Sequence, residues 1–341
     1  MSLEEQIYQQ RRQDKQVRPF SASARVGCRS LSLGLQRVCV DFGADSSFAA
    51  AVEKVREHYR VEVSQSAVRA ATQAHGEALQ LETEVAASLP REGVRELLAE
   101  IDGALVPVVA IGEATGDKRR QRFCGWQEAR LCLAGVPQSL SRRYAATMGS
   151  VQSAGRQWKA CVAQAGAGEK TRLHCVGDGA RWIVAQVEEQ FGSQASFLVD
   201  FYHLSEYLAG AATVIAGAGA QGWLSEQQAR LKANRSAEVL VELARHREGE
   251  SVEDVNAPVR RCERYLEARL EYVDYAGALE RGLPIGSGEI ESGNRSVVQA
   301  RLKLSGAWWR RENAEKMLAL RVARANGEWQ SYWRQQRQAH A

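Results

Sequence analysis

The sequence lacks the features that mark secreted, zinc-binding and membrane-spanning proteins. No two of its seven cysteines, at positions 28, 39, 124, 132, 161, 175 and 262, form a CxxC pair. This spacing indicates reduced intracellular thiols and argues against a disulfide framework or a zinc finger. No apolar run reaches the roughly 18 residues that a membrane span needs, and the polar N-terminus MSLEEQIYQQRRQDKQ lacks a signal-peptide core. We therefore expect a cytoplasmic protein with no membrane partner.

Positive charge is concentrated at one end of the chain. The whole chain has 341 residues and a net charge of only +4, and its length predicts two or three domains. From Ser292 to Ala341 there are ten Lys and Arg residues against three acidic ones, a net charge of +7 (10 − 3). A basic region of this kind is typical of proteins that bind polyanions. On charge alone, a solvated helix face is the better explanation.

The N-terminal third predicts helices. Residues 1–44 form a poorly defined segment, in which RVGCRSLSLGLQRVCVDFG alternates enough for a small hairpin. Ser46 and Ser47 can cap a helix that ends near residues 58–60, and Ser64 can cap a second one. Residues 45–92 therefore predict a helix-turn-helix-like DNA-binding region, with an ordinary helical pair as the alternative. The side chains expected to contact DNA are those of Ser64, Gln65, Ser66, Arg69 and Gln73.

The middle of the chain predicts an α/β domain with a helical insertion. Strand-like and helix-like segments alternate from residue 93 to 208 in the order β-β-α-β-α-β-α, with residues 140–165 helical in texture and the charged run DKRRQR as a loop. Residues 209–282 carry almost no strand signal and favour two long amphipathic helices, 225–247 and 257–279. Residues 283–341 return to the α/β domain with a helix that begins near Ser287.

Two aspartates follow predicted strands directly beside glycine. Asp102 lies in EIDG and Asp178 in GDGA. In open α/β sheets, functional sites gather at the carboxyl ends of strands, although an Asp-Gly pair taken singly more often marks a turn. Asp200 and His203, in DFYH, come next along the chain. They could share a metal, or they could hydrogen-bond to fix a strand-helix corner, and the second is the better explanation for His203.

A late helix supplies the third carboxylate and much of the positive charge. The stretch LPIGSGEIESGNRSVVQAR places Glu289, Glu291 and Asn294 early in a helix. Three carboxylates that converge repel one another unless cations neutralise them, and Mg²⁺ prefers oxygen ligands. Further along, RLKLSGAWWRR interleaves basic residues with tryptophans, for which core packing is the better explanation. The basic residues expected to face DNA are Arg295, Arg301, Lys303, Arg310 and Arg311.

These segments resemble a known family of enzymes. IDGALVPVV, VGDGARWI, LVDFYHLSEYL and LPIGSGEIESGNRSVVQARLKLSGAWW are similar to segments of the DDE transposases of bacterial insertion sequences, of the ISKra type and related to the Mutator-like group. The resemblance extends from about Ser46 to Trp333. It implies an RNase H-like catalytic core, a mixed sheet flanked by helices, with a helical insertion before the last acid.

The resemblance also implies residue roles. Asp102, Asp178 and Glu291 match the catalytic, metal-binding triad, because Ile290, Glu291 and Asn294 fit the pattern I-E-x-x-N. Glu289 is the competitor for the third acid, and Asp200 and His203 match a [C/D]-x-x-H motif that supports the site. The implied cofactor is Mg²⁺ or Mn²⁺, two ions per active site. One departure is that the N-terminus has no cysteine pairs.

The expected function is transposition. The enzyme would cleave DNA at transposon ends and transfer the freed 3′-OH to target DNA. Its partners would be double-stranded terminal inverted repeats and target DNA, bound by a homodimer or higher oligomer in the bacterial cytoplasm at the nucleoid. The alternatives are an RNase H-like nuclease without strand transfer and a non-catalytic DNA-binding protein derived from a transposase.

Overall fold

The protein's structure is a computed structural model, which describes residues 6–9, 16–17, 19–20, 31–81, 89–111 and 122–339. Near the N-terminus, Tyr8–Gln9 pairs antiparallel with Gln16–Val17. Half of segment 1–44 and all but the last residue of the predicted loop DKRRQR lie outside the described residues. None of the described helices is long and apolar enough to cross a membrane.

Three helices open the continuous part of the structure: α1 Leu33–Asp45, α2 Phe48–Tyr59 and α3 Gln65–Leu81. Ser47 and Ser64 cap α2 and α3 as predicted, through bonds from the backbone N–H groups of Ala50 and Ala67. The predicted hairpin was wrong, because residues 33–45 are helical. Buried residues recur along α1 at the three- and four-residue spacing of a helix face, which overrides the partial alternation.

The centre of the molecule is a five-stranded mixed sheet flanked by helices. Its strands are β1 Glu96–Ile111, β2 Arg122–Gly135, β3 Arg143–Thr147, β4 Arg172–Gly177 and β5 Ala195–Val199. The order across the sheet is β3-β2-β1-β4-β5. The β3-β2-β1 part is antiparallel, whereas β4 and β5 run parallel to β1.

Strand β3 was not foreseen. Residues 140–165 were expected to be helical, but only α4 Val151–Gln164 is a helix in that stretch. Residues 143–147 instead pair with the buried end of β2, in the register Arg130↔Thr147 to Ala134↔Arg143. The pairing of residues 143–147 with β2 thus outweighs the local preference of this stretch for a helix.

Alternation along β1 gives the sheet two different faces. Leu97 and Ile101 pack against α4 and α5, which is Arg181–Phe191. Ala104 and Val106 point to the opposite face. Because side chains alternate, Glu100 and Asp102 lie on this second face. The acidic side chains therefore point toward the helices from the two ends of the chain, away from α4 and α5.

Beyond β5 the chain is helical, with α6 Phe201–Ala216, α7 Ala220–Lys232, α8 Ser236–Arg245, α9 Pro258–Glu267 and α10 Tyr275–Glu280. Residues 209–282, all of which are described, contain no strand, as expected. Each of the two long helices that were predicted here is interrupted. Asn234, which has φ +56°, lies in the turn between α7 and α8, and residues 268–274 separate α9 from α10.

The C-terminal helices return to the sheet. They are α11 Gly288–Gly293, a π-helical segment Asn294–Gln299, α12 Ala300–Leu302, α13 Arg311–Ala325 and α14 Trp329–Ala339. One apolar cluster joins them to α1–α3 and the sheet, with members such as Val40, Val106, Leu131, Val298 and Leu318. Helices α1–α3 therefore share one core with the sheet and the C-terminal helices.

Candidate functional site

Asp102 lies at the centre of the candidate site, halfway along β1. Its Oδ2 accepts a hydrogen bond from Asn294 Nδ2 at 2.8 Å. Burial raises the pKa of Asp102 above its ordinary value, and the negative charges of Asp178 and Glu291 raise it further, while hydrogen bonds from the Gly103 backbone and Asn294 lower it. The structure thus places Asp178 and Glu291 near enough for their charges to act on Asp102.

Asp178 immediately follows β4, and its main chain is held by the helical insertion. Its Oδ1 accepts from the Ala180 N–H at 2.8 Å. Tyr265 donates its hydroxyl proton to the Asp178 carbonyl at 2.5 Å, and Arg269 Nε donates to the Gly179 carbonyl at 3.0 Å. Gly179 has φ +73°, and a Cβ there would lie 2.5 Å from Arg269 Nε. The glycine is required both by its backbone conformation and by this close approach.

The two glutamates of α11 have different partners. Glu289 forms a two-point ion pair with Arg142, in which Arg142 Nη2 lies 2.7 Å from Oε1. The Glu291 side chain is 54% exposed, and its nearest ion-pair partner is Arg295 at 3.7 Å, one turn along. Because Glu289 is paired with Arg142 whereas the charge of Glu291 acts on Asp102, these interactions favour the prediction of Glu291 over Glu289 as the third acid.

Glu100 was not singled out from the sequence. It is completely buried on β1, and its Oε2 accepts from the Ile290 N–H at 2.7 Å. Burial raises its pKa to about 8 against the lowering effect of that bond, with further raising by Glu289 and Asp200. Glu100 thus ties the start of α11 to β1. An acid two residues before Asp102, on the same face of an otherwise apolar strand, was the available sequence signal.

Asn294 begins the π-helical segment that follows α11. It is 3% exposed, and its Oδ1 has no hydrogen-bond partner within the described residues. π-helical turns inside helices are frequent at functional sites. A buried, unpartnered acceptor beside Asp102 is a position at which a bound cation or water would find an oxygen ligand.

Asp200 and His203 have structural partners. Asp200 caps α6, since its Oδ1 accepts from the N–H groups of Tyr202 and His203, and its Oδ2 accepts from Ser287 N–H and Oγ–H. The His203 ring packs edge-on against Tyr207 and Tyr265. The structural explanation, a fixed strand-helix corner, therefore fits better than a shared metal, with the bond made by the His203 backbone.

The fit of the site to a metal ion is partial. No three His, Cys, Asp or Glu side chains among the described residues are close enough, as placed, to hold one ion. The charges of Asp178 and Glu291 nevertheless act on Asp102, and the unpartnered Asn294 Oδ1 adds an oxygen donor beside Asp102. These are oxygen ligands of the type that Mg²⁺ prefers, and the exposed Glu291 side chain is accessible from solvent.

A second feature, which we call the basic groove, lies between α3, the β1–β2 hairpin and the chain after α12. It has a volume of about 860 Å³. Four arginines, Arg69, Arg122, Arg301 and Arg310, line it, and no acidic residue does so within the described part of the chain. Gln65 and Gln73 belong to the same lining. The structure therefore brings three of the five predicted α3 residues together with the basic C-terminal region.

Two predicted DNA contacts are instead structural. Arg301 is only 2% exposed, and its Nε donates to the Gly43 carbonyl at 2.9 Å. Its guanidinium stacks on Phe48 and Trp309, and burial lowers its pKa to about 10. Arg311 donates from Nε and Nη2 to the Met148 carbonyl. A guanidinium committed to a buried carbonyl is not available to phosphate, so the DNA-contact prediction does not fit Arg301.

The other predicted DNA-contacting residues are on the surface. Lys303, Arg295 and Arg310 are exposed, and Lys303 Nζ lies 5.9 Å from the centre of the Trp126 ring. Ser64 and Ser66 are exposed at the start of α3, with their hydroxyl oxygens 2.9 Å apart. These side chains are accessible to a partner, and Arg310 is the one among them that lines the basic groove.

Comparison with known families places the chain in one of them. The model of the uncharacterised protein family UPF0236 matches residues 6–338. Since the match covers nearly the whole chain, the protein belongs to this family. A comparison with curated proteins finds no match.

Proposed function

We propose that this UPF0236 member is a DDE-type transposase, which cleaves DNA at the ends of a mobile element and joins the freed 3′ end to target DNA. Its catalytic acids are Asp102, Asp178 and Glu291. One observation carries the proposal: Asp178 and Glu291, which are 76 and 189 positions from Asp102 in the sequence, place their negative charges near enough to act on the half-buried Asp102 carboxyl. Keeping like charges this close is unfavourable without a cation, so a cation-dependent reaction is the natural use of the cluster.

The chain's own residues hold the acids in place for that reaction. Asn294 fixes the Asp102 carboxylate by its amide, and the Ala180 N–H fixes one oxygen of Asp178 and leaves the other free for a ligand. Glu100 holds α11 against β1 by accepting a hydrogen bond from the Ile290 N–H, and this bond fixes the position of the next residue, Glu291. Two Mg²⁺ or Mn²⁺ ions, when bound to these carboxylates, would activate the attacking oxygen and stabilise the leaving one.

The architecture supports the same proposal. The mixed sheet, with helices on both faces, is compatible with the RNase H-like core that such enzymes use, and a strand-free helical block precedes the last acid. Helices α2 and α3 follow the order of a helix-turn-helix, with exposed polar side chains at the start of α3. The substrate would be double-stranded DNA in a bacterial nucleoid, and holding two ends together requires a dimer or larger assembly.

The test is a cleavage and strand-transfer assay. The full chain is incubated with DNA that carries the terminal repeats flanking its own gene, with Mg²⁺ or Mn²⁺, beside Asp178→Ala and Asp102→Asn variants whose folding is checked by thermal unfolding. We expect nicking and joining by the wild type and a loss of at least about a thousandfold in the variants. Equal activity in the wild type and the Asp178→Ala variant would refute the proposal.

The same assay separates the alternatives. Cleavage without joining would identify an RNase H-like nuclease. Binding to the repeats without any metal-dependent cleavage would favour a non-catalytic DNA-binding protein. That alternative is consistent with the spacing of the acids, since no three His, Cys, Asp or Glu side chains among the described residues are close enough to hold one ion. Each outcome leaves a different product on a sequencing gel: a joined strand, a nicked strand, or intact DNA.

A further inference from the structure

Two tryptophans stand exposed beside the basic groove. Trp308, which lines the groove, has 46% of its surface exposed, and Trp126 on β2 has 57%. Their ring centres are 6.4 Å apart. The next residue, Trp309, is buried and donates its Nε1 proton to the Leu302 carbonyl. The chain therefore uses Trp309 for the core and leaves Trp308 in solvent, although aromatic rings of this size normally gain by burial.

Three of the four arginines that line the groove are free to act on a ligand. Arg69, Arg122 and Arg310 are exposed, and no hydrogen bond or ion pair with another described residue engages their guanidinium groups. The described lining contains no acidic residue, so every charged side chain in that part of the groove is positive. Charge complementarity thus selects a polyanion as its occupant.

The shape of the groove selects among polyanions. A volume of about 860 Å³ is within the range of pockets that enclose a drug-sized molecule, so a few nucleotides of one strand fit inside, whereas a duplex would lie only across the rim. Arg69 and Gln73 line this concave space. A helix that reads the major groove of a duplex must protrude into it, so these two side chains are better placed to contact a strand that enters the groove. Positive grooves with exposed aromatic rings are typical of proteins that bind single strands.

We propose that the basic groove binds single-stranded DNA, with phosphates held by Arg69, Arg122 and Arg310 and a base stacked on Trp308, supported from behind by Trp126. The groove lies apart from the acids. Val109, which lines it, is seven residues beyond Asp102 on the same strand, or about 23 Å away at about 3.3 Å per residue. One DNA molecule can span both places, so the groove would hold an unpaired segment a short distance from the scissile bond.

This inference rests on the proposed action on DNA, but its test does not depend on catalysis. Fluorescence anisotropy is measured in EDTA with a labelled mixed-sequence oligonucleotide of about 12 nucleotides, and with the same oligonucleotide annealed to its complement. The full chain is compared with Trp308→Ala, Trp308→Phe and Arg310→Gln variants. The control is Arg334→Gln, which removes the same charge from an exposed position on α14 outside the groove lining.

The expected results differ by residue. The wild type binds the single strand more tightly than the duplex. Trp308→Ala weakens single-strand binding by about five- to 150-fold, the range for loss of one stacked base, without changing the salt dependence, and Trp308→Phe retains most of the affinity. Arg310→Gln reduces the slope of log K against log salt by about 0.7, as expected for one lost phosphate contact, whereas Arg334→Gln does not.

Three results would overturn the inference: tighter binding of the duplex, wild-type affinity in Trp308→Ala, or equal effects of Arg310→Gln and Arg334→Gln. A chain that binds single strands as described but never cleaves DNA would leave the inference standing and refute the proposed function. If the wild type cleaves and joins DNA, and the Trp308→Ala and Arg310→Gln variants bind single strands as tightly as the wild type, the proposed function stands and this inference is refuted.

Discussion

Asn294 donates a hydrogen bond to Asp102 across 192 positions of sequence, and the two atoms are 2.8 Å apart. This bond joins the π-helical segment after α11 to the middle of β1. It orients the Asp102 carboxylate and favours its charged form. Glu291, the proposed third acid, is therefore on the helical stretch whose next segment, through Asn294, orients Asp102, the proposed first acid.

We predict that Asn294→Leu lowers metal-dependent cleavage by about 10- to 100-fold, the usual effect of losing a residue that orients a metal ligand. The isosteric side chain keeps the packing and removes the amide. Thermal unfolding should change little, and the activity lost should be partly regained at higher pH, because the pKa of Asp102 rises without its donor. An unaltered cleavage rate would show that the bond does not serve the reaction.

Glu291→Gln and Glu289→Gln should have opposite profiles. The first removes an exposed charge beside Asp102, so we expect loss of cleavage with an unfolding free energy within about 0.5 kcal/mol of wild type. The second breaks the two-point pair with Arg142, so we expect residual cleavage and a stability loss of about 1–3 kcal/mol. Cleavage rates and chemical denaturation of both variants decide the matter. Full activity in Glu291→Gln would be incompatible with its assignment as the third acid.

Tyr265→Phe should reduce cleavage although Tyr265 lies in the helical insertion. The substitution removes the hydroxyl that bonds the Asp178 carbonyl, at a cost to stability of about 1 kcal/mol. We expect the apparent Mg²⁺ requirement to rise, since Asp178 is then less firmly placed. Tyr207→Phe, on the stacked neighbouring ring, is the matched control and should leave that requirement unchanged. If both variants need the same Mg²⁺ as the wild type, the insertion does not position Asp178.

Arg301→Gln and Lys303→Gln remove charges two residues apart. Because Arg301 is buried against the Gly43 carbonyl and two aromatic rings, its substitution should lower the unfolding free energy by about 2–3 kcal/mol. Lys303 is exposed, so its substitution should leave stability within about 0.5 kcal/mol and weaken DNA binding in a salt-dependent way. Denaturation curves and binding isotherms test both. Equal stability losses would contradict this division.

Acid should destabilise the protein through His174. Burial lowers the pKa of His174 from its ordinary 6.5, and the neighbouring Arg281 lowers it further, while the bond to the Pro284 carbonyl and Glu96 oppose this. The folded state then binds this proton less well than the unfolded chain. Its contribution is present above about pH 6.5 and is lost as the pH falls through the lowered pKa. His174→Gln, which can keep a donor to Pro284, should flatten the fall in melting temperature below pH 6.5; an unchanged fall would exclude this residue as its cause.

Local rules accounted for elements whose signals are contained within a few residues. Ser47 and Ser64 cap helices as expected, and the two parallel strands that end near Asp178 and Asp200 were placed within a residue or two. Local rules failed at β3, where pairing with β2 decides the conformation, and in residues 33–45, where burial of one helix face does. In both places a distant partner outweighed a weak local preference.

The sequence by itself determined the type of most elements, because caps and alternation are local chemistry, and its resemblance to a known family predicted the acids of the site. Only the tertiary structure decided which acids meet, that Glu289 pairs with Arg142, that Glu100 is buried beneath α11, and that Arg301 faces the core while Trp308 faces solvent. Burial and charge proximity arise from packing between segments far apart in the chain. The same residue type therefore becomes a ligand candidate, a structural support or a surface contact according to what packs against it.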